Sequence, residues 1–352
     1  MQGGDWQDVE HSRARASGGR GSFGAVGHRT RGRRTGSRTP ASSAAGTIAK
    51  VATLLVALLA AVLLASCGSP GRNALGSDGP PASPEAYQKA LTAAGKPVSA
   101  ALAGVANTRA LGPLTQRLVT AEEAAGQAAE QLGGITPPQD VRGEHSDLVQ
   151  GFKQLNADLG VLHDSVAGRE LCTASVVMAQ LSKAEGLAAV RDASKALAVK
   201  RDGQGYTVGL VVPPLKGQSG RPSNGQFVRE GSRTGLGKLT VDNGGGQDAV
   251  ITLAVGKRPA FAVYVRKGAK HTVTGIQDGT YHVYYASGSA WDTKARAFGR
   301  DCSFDRFDDS LGFETRQTAT STQTSIWKIT LQPVVGGNAS TSRVDPNDFP
   351  AS

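Results

Sequence analysis

The chain has little of what most chemistry needs. Its 352 residues include three cysteines, six histidines, two methionines and 5% aromatics. It contains no Cys-x-x-Cys, no His-x-x-x-His and no Glu-x-x-His, so the usual ligand spacings of a zinc site or a di-iron helical site are missing. It contains no Gly-x-Ser-x-Gly, the strained turn on which many hydrolases mount a nucleophile. One glycine pattern does occur. Gly19-Arg20-Gly21-Ser22-Phe23-Gly24-Ala25-Val26 has the spacing of a kinase phosphate loop, but no strand precedes it and no lysine-bearing strand follows, so the mechanism lacks its context. No cofactor is expected. The hydrophobic fraction is only 39%, and 46 glycines and 16 prolines imply much loop and linker in a chain with room for two or three domains.

The formal charge of +10 invites a nucleic-acid reading. Its distribution argues otherwise. Nine basic and three acidic residues precede Cys67, and without them the chain carries only +4. The surplus belongs to a leader, where basic residues orient insertion. After Lys50 comes an uncharged run of 15 residues, Val51 to Ala65. That is short for a membrane span, which takes about 20 residues, and suits a signal-peptide core.

The run ends in Leu64-Ala65-Ser66-Cys67. These residues resemble the lipobox of bacterial lipoproteins. The resemblance implies that Cys67 receives a diacylglyceryl group, that cleavage before it removes residues 1–66, and that the new amine is acylated, for instance with palmitate. Two or three acyl chains give a stable anchor where one is marginal. The expected address is the cell membrane, lipid-anchored, on its extracytoplasmic face.

Residues 67–83 then read as the lipidated cysteine and a Gly/Ser/Pro-rich tether. Residues 84–200 show helical periodicity. The first helix starts with Ser83 as N-cap and Pro84 at the first helical position, and Pro97 is expected to kink or split it. A second repeats Leu111, Leu114, Leu118, Ala121, Ala125, Ala128, Leu132, the alanines implying close helix approach. A third starts near Thr136-Pro137-Pro138 and repeats Leu148, Phe152, Leu155, Leu159, Leu162, Val166. A fourth runs from about Arg169 to Lys200. The expectation is an antiparallel four-helix bundle.

From Tyr206 the period becomes two. Residues 201–236 read as a strand, Tyr206–Val212, followed by a mobile linker, and residues 237–335 as an all-β sandwich of immunoglobulin-like or prealbumin-like type. Its strands are expected at Lys238–Asp242, Asp248–Val255, Ala260–Arg266, His271–Ile276, Thr280–Ala286, Leu311–Thr315 and Ser325–Gln332, and residues 336–352 read as a polar tail. The fold class is therefore α+β, multidomain. Thr136-Pro137-Pro138 and Leu171-Cys172 look like helical domains of actinobacterial lipoproteins. Asp278-Gly279-Thr280-Tyr281, Trp291-Asp292, Asp301-Cys302-Ser303-Phe304 and Pro-Val-Val-Gly-Gly at 333–337 look like a β-domain of uncharacterised actinobacterial surface proteins. Neither resemblance implies an activity.

With Cys67 committed to lipid, Cys172 and Cys302 are left. Outside the cytoplasm such a pair suggests a disulfide, with two buried free thiols as the alternative. Asp301, Asp305, Asp308 and Asp309 read as one acidic loop, either a solvated turn or a calcium site of unfamiliar spacing. Tyr264, Tyr284 and Trp291 fall opposite the expected core positions, either as a second packed face or as an exposed patch for sugar or protein. The chain is thus read as a monomeric, non-catalytic envelope module, binding or structural, with membrane lipid at Cys67, an unknown protein or cell-wall ligand and no nucleic acid as partners. The alternative is an extracytoplasmic hydrolase with a dispersed site at the domain junction, centred on His271 or His282 beside two carboxylates and a serine.

Overall fold

The computed structural model describes residues 80–201, 203–214, 220–332 and 339–350. The glycine-loop pattern, the apolar run, the lipobox with Cys67, most of the tether and the 333–337 motif lie outside the described residues. What is described is a mixed α+β structure. Its five α-helices are α1 (Pro84–Asn107), α2 (Leu111–Gly133), α3 (Arg142–Ala167), α4 (Ala174–Leu181) and α5 (Glu185–Ala198).

Helix α1 begins as its residues dictate. The Ser83 side chain accepts the amide of Ala86 at 3.3 Å, and Pro84 has no amide to leave unpaired. Pro97 neither splits nor ends it: the helix runs through to Asn107. The third helix starts later than its sequence signal, at Arg142, after a short 3-10 turn over Gln139–Val141. The fourth expected helix is corrected to two. Residues 168–170 turn out of the helical path, 171 and 172 run beside a strand, and a turn at 182–184 separates α4 from α5. Helix α5 has no side-chain cap of its own at Ala184; its start is satisfied from outside, by Asp158 of α3, which accepts the Gly186 amide at 2.8 Å. The apolar stripes meet in one core that includes Leu91, Leu118, Phe152, Leu159 and Leu187. Within it His145 bonds the Tyr87 hydroxyl at 3.0 Å and the Leu132 carbonyl at 3.1 Å, which is the role of a core histidine.

Tyr206–Val212 is not a strand, and Gly209 within it has a φ of 69°. It alternates as read, with Tyr206 and Val208 buried against the helices. Its partner is α1 rather than a sheet. The Gln88 side chain accepts the Thr207 amide at 2.9 Å and donates to its carbonyl at 2.8 Å, and the Ser99 hydroxyl accepts the Val211 amide at 2.7 Å. Gly95 permits this: a Cβ there would stand 2.0 Å from the Val208 carbonyl oxygen.

Twelve strands follow among the described residues: β1 (Phe227–Arg229), β2 (Gly237–Asn243), β3 (Asp248–Val255), β4 (Arg258–Val265), β5 (Ala269–Ile276), β6 (Gly279–Asp292), β7 (Ala297–Phe307), β8 (Leu311–Phe313), β9 (Thr315–Gln317), β10 (Thr322–Thr324), β11 (Ile326–Thr330) and β12 (Thr341–Arg343). A seven-stranded sheet has the order β1-β4-β3-β6-β7-β12, with β8 added to β6. A three-stranded sheet has the order β11-β2-β5, with β11 parallel to β2. A small β9–β10 ribbon completes the set. Leu239, Val273 and Ile329 of the smaller sheet share a core with Ile251, Val263 and Val283 of the larger.

Strand β3 is buried from Asp248 through Ala254 because both of its faces are covered. Alternate residues Ala249, Ile251 and Leu253 face the smaller sheet, while Val250 joins Tyr264, Trp291 and Phe298 on the other side. Two further expectations are corrected. Residues 220–236 are not a free linker: Gly225 donates to the Tyr264 carbonyl at 2.8 Å, and Phe227–Arg229 is β1. The described part of the 336–352 tail is not all loop: Thr341–Arg343 pairs with β7, and Phe349 packs 5.1 Å from Phe304, ring centre to ring centre.

Candidate functional site

The helical and β segments meet along β7. Residues 169–172 lie against it and extend its ladder locally. Leu171 pairs with Arg300, the Cys172 amide donates to the Gly299 carbonyl at 2.8 Å, and the Asp301 and Cys302 amides donate to the carbonyls of Glu170 and Arg169 at 3.2 Å. Arg169 adopts a φ of 64° to make the turn out of α3. This alignment brings Cys172 and Cys302 within 6.4 Å, Cα to Cα, and they form a disulfide across 130 residues of sequence.

Beside the disulfide is a cavity of about 360 Å³. Its walls are Leu111 and Pro113 of α2, Trp291, Phe298 and Phe304 of the β6–β7 hairpin, and Phe349. The rings interlock edge to face. Trp291 and Phe298 centres are 5.1 Å apart, and Tyr284 and Phe349 are 5.7 Å apart. Arg109, Arg296 and Asn347 stand at the rim. Arg109 and Ala295 also line a second, more polar cavity of about 230 Å³, with Ser175, Asp292 and Lys294.

Among the described residues, the one carboxylate that lines either chamber is already committed. Asp292 is buried, takes the Ser175 hydroxyl from α4, and accepts the Lys294 and Ala295 amides at 2.9 Å. It closes the hairpin as an Asx turn and ties it to the helix. The cations are not committed. Among the described residues, Arg109, Lys294 and Arg296 have no ion-pair partner. The joint cleft is therefore an apolar, aromatic-walled space under a positive rim.

Tyr264, Tyr284 and Trp291 do share one face, but they are 1%, 7% and 3% exposed. They form the second packed face, not an exposed patch, and Trp291 reaches the cleft only as a wall. The acidic residues do not form a loop. Asp301 and Asp305 belong to β7, and Asp308 and Asp309 follow it. An extended strand places residues four apart about 13 Å from each other. Asp308 bonds Ser342 at 2.5 Å, Asp305 lies 4.0 Å from Arg343, and no metal-binding group of three or more His, Cys, Asp or Glu side chains occurs among the described residues. His271, on β5, and His282, on β6, line neither junction cavity. Ser175, Arg109 and Phe349 carry no sequence signal, and Asp292 appears there only in the Trp291-Asp292 resemblance. The Asp292-Thr293-Lys294 turn was a legible signal; the approach of α4 and of the C-terminal segment was not.

A second polar feature lies on the same face. Asp248 receives the Tyr264 hydroxyl at 2.5 Å, two Arg221 nitrogens at 2.8 Å and the Lys267 amide at 2.9 Å. Burial pushes its carboxyl up, but these donors outweigh burial and hold it well below the usual carboxylate range. A depressed native pKa gives stability that is present above the unfolded value of 3.8 and is lost as pH falls below it. Urea unfolding between pH 7 and pH 2 should show this loss, on the order of 2 kcal/mol from Asp248. Asp248→Asn should flatten that limb; an unchanged acid limb in the variant would show that the network contributes nothing.

No protein-family model, curated protein or solved structure matches the chain.

Proposed function

We propose that this protein is a membrane-anchored envelope lipoprotein whose body is a non-catalytic binding module. The observation that carries the reading is the apolar run abutting Leu64-Ala65-Ser66-Cys67. Cys67 is the acylated residue, and the body stands on the extracytoplasmic side, joined through the tether. Two observations support that setting. The Cys172–Cys302 bond suits an oxidising compartment. Among the described residues, no helix is long and apolar enough to cross a membrane, and in this reading acylated Cys67 supplies the anchor. In finer architecture, α1, α2, α3 and α5 form the four-helix bundle, α4 is a spur toward the β-domain, and the two larger sheets form a sandwich. The junction cleft is the binding site: it is concave and apolar, with a few charged groups at its edge, as small-ligand sites are. Apart from the small ligand of the cleft, the partner of the module is a protein or cell-wall ligand rather than nucleic acid, since the chain after the leader is only weakly basic.

Metabolic labelling with palmitate tests the anchor. The wild-type chain is expected to incorporate label and to sediment with membranes, and Cys67→Ser to lose both. Absence of label in the wild type, or a Cys67→Ser chain that stays membrane-bound, overturns it.

A further inference from the structure

We propose that the junction cleft takes a small amphiphilic anion, an apolar body of about two rings carrying a carboxylate or similar group. This names the ligand class for the site above and rests on reading it as a binding cleft. Size sets the body. An apolar cavity near 150 Å³ accommodates one benzene, and the space beside the disulfide is about 360 Å³. Its lining by Leu111, Phe298, Phe304 and Phe349 offers ring faces and edges, and few polar groups that water could satisfy. Charge sets the head. Arg109 and Arg296 stand at the opening and Lys294 lines the adjoining polar cavity, all three without carboxylate partners among the described residues, while Asp292 is used by Ser175 and two backbone amides.

The rim charges also make sense of two local features. Arg296 is held at a φ of 52°, a left-handed conformation that costs an arginine energy, and this places it at the opening of the hydrophobic space. Helix α2 begins at Leu111, with Ala110 as its N-cap at the same rim and no side chain capping it, so its positive end adds to the field there. A neutral body of the same shape gains the apolar contacts but not these. Exposed charge pairs contribute modestly, so the discrimination between anion and neutral isostere is about tenfold rather than a thousandfold.

The test titrates 2-naphthoate and its neutral isostere 2-naphthamide into the purified full chain in mild detergent, by calorimetry, with detergent alone as the blank. The expected result is naphthoate binding with a Kd of about 100 µM, in the range for a ligand of this size, and about tenfold weaker binding of the amide. In Arg109→Gln/Arg296→Gln, whose substitutions are at exposed positions, the two probes should bind alike, with an unchanged melting temperature. Ala110→Trp, at the exposed rim, should block both. No binding of either probe, equal binding of both by the wild type, or undiminished binding by Ala110→Trp overturns the proposal. Palmitate labelling reads Cys67 independently, so a labelled chain that ignores naphthoate fails here alone, and a naphthoate-binding chain without label fails only the anchor.

Discussion

Replacing Cys172 and Cys302 by serine is expected to lower the unfolding free energy by about 5 kcal/mol, the loop-closure value for a loop of this length. The bond closes 130 residues of sequence and joins the turn after α3 to β7. In the unfolded chain nothing else holds these two points together, so the serine pair regains that freedom in full. The native state loses little else directly, because the backbone bonds of Cys172 to Gly299 and of Cys302 to Arg169 remain. Urea unfolding followed by far-ultraviolet dichroism should therefore show a much lower midpoint with native helix and strand content before the transition. Since stabilities of domains run from about 5 to 15 kcal/mol, a loss of this size is a large share of the whole. A midpoint change equivalent to less than 1 kcal/mol would mean that the junction is held by its packing alone. Reduction with a thiol should reproduce the serine pair.

Gly186→Ala is expected to destabilise the helical core by about 3 kcal/mol, against the sign of helix propensity. In an ordinary helix position, alanine in place of glycine gains up to about 1 kcal/mol. Here a Cβ would lie 2.3 Å from the Leu155 amide nitrogen and 2.6 Å from the Gln154 carbonyl carbon. Both are backbone atoms of α3, so no rotamer change relieves the overlap and the two helices must separate. Overpacking of this kind costs about 1–3 kcal/mol. Separation also lengthens the bond from the Gly186 amide to Asp158, which caps α5 where Ala184 has no side chain to do so. The upper end of the range is therefore expected. Gly151 meets Val190 across the same contact, at 2.9 Å for a built Cβ, and marks how closely the helices lie. Thermal melting checks it: a variant as stable as the parent, or more so, would remove the close-approach account. Gly143→Ala is the control, with nothing within 4 Å of its Cβ, and should show the propensity gain instead.

The alanine-rich stripe of α2 was the sequence signal for close helix approach, and a further close approach lies at the single glycines Gly151 of α3 and Gly186 of α5. A lone glycine in a helical pattern reads as a weak spot until its neighbour is known. The same limit explains the other differences. The helix signal from 169 to 200 ignored that residues 169–172 would find backbone partners on β7, which outweigh local helical preference. The period of two at Tyr206–Val212 was real, but α1 side chains took the backbone bonds that a neighbouring strand was expected to take. The Asp301–Phe307 stretch looked like a loop because its charges hid a strand with Cys302 and Phe307 facing inward.

By itself, then, the sequence determined what depends on local pattern: the start of α1, the stripes of α1 to α3, the strands from β2 to β6, and the motif at Cys67 that sets the expected address. Capping, periodicity and turn residues act over a few positions, and they can be read without a partner. Only the tertiary structure decided what depends on which surfaces meet. It joined Cys172 to Cys302, buried Tyr264, Tyr284 and Trp291, spread the four aspartates along a strand and its end, and assembled a cleft from α2, the β6–β7 hairpin and Phe349. Those residues lie far apart in the chain, and no spacing rule connects them. Their grouping follows from the packing of the helices against the outer face of the seven-stranded sheet, which is a property of the folded whole.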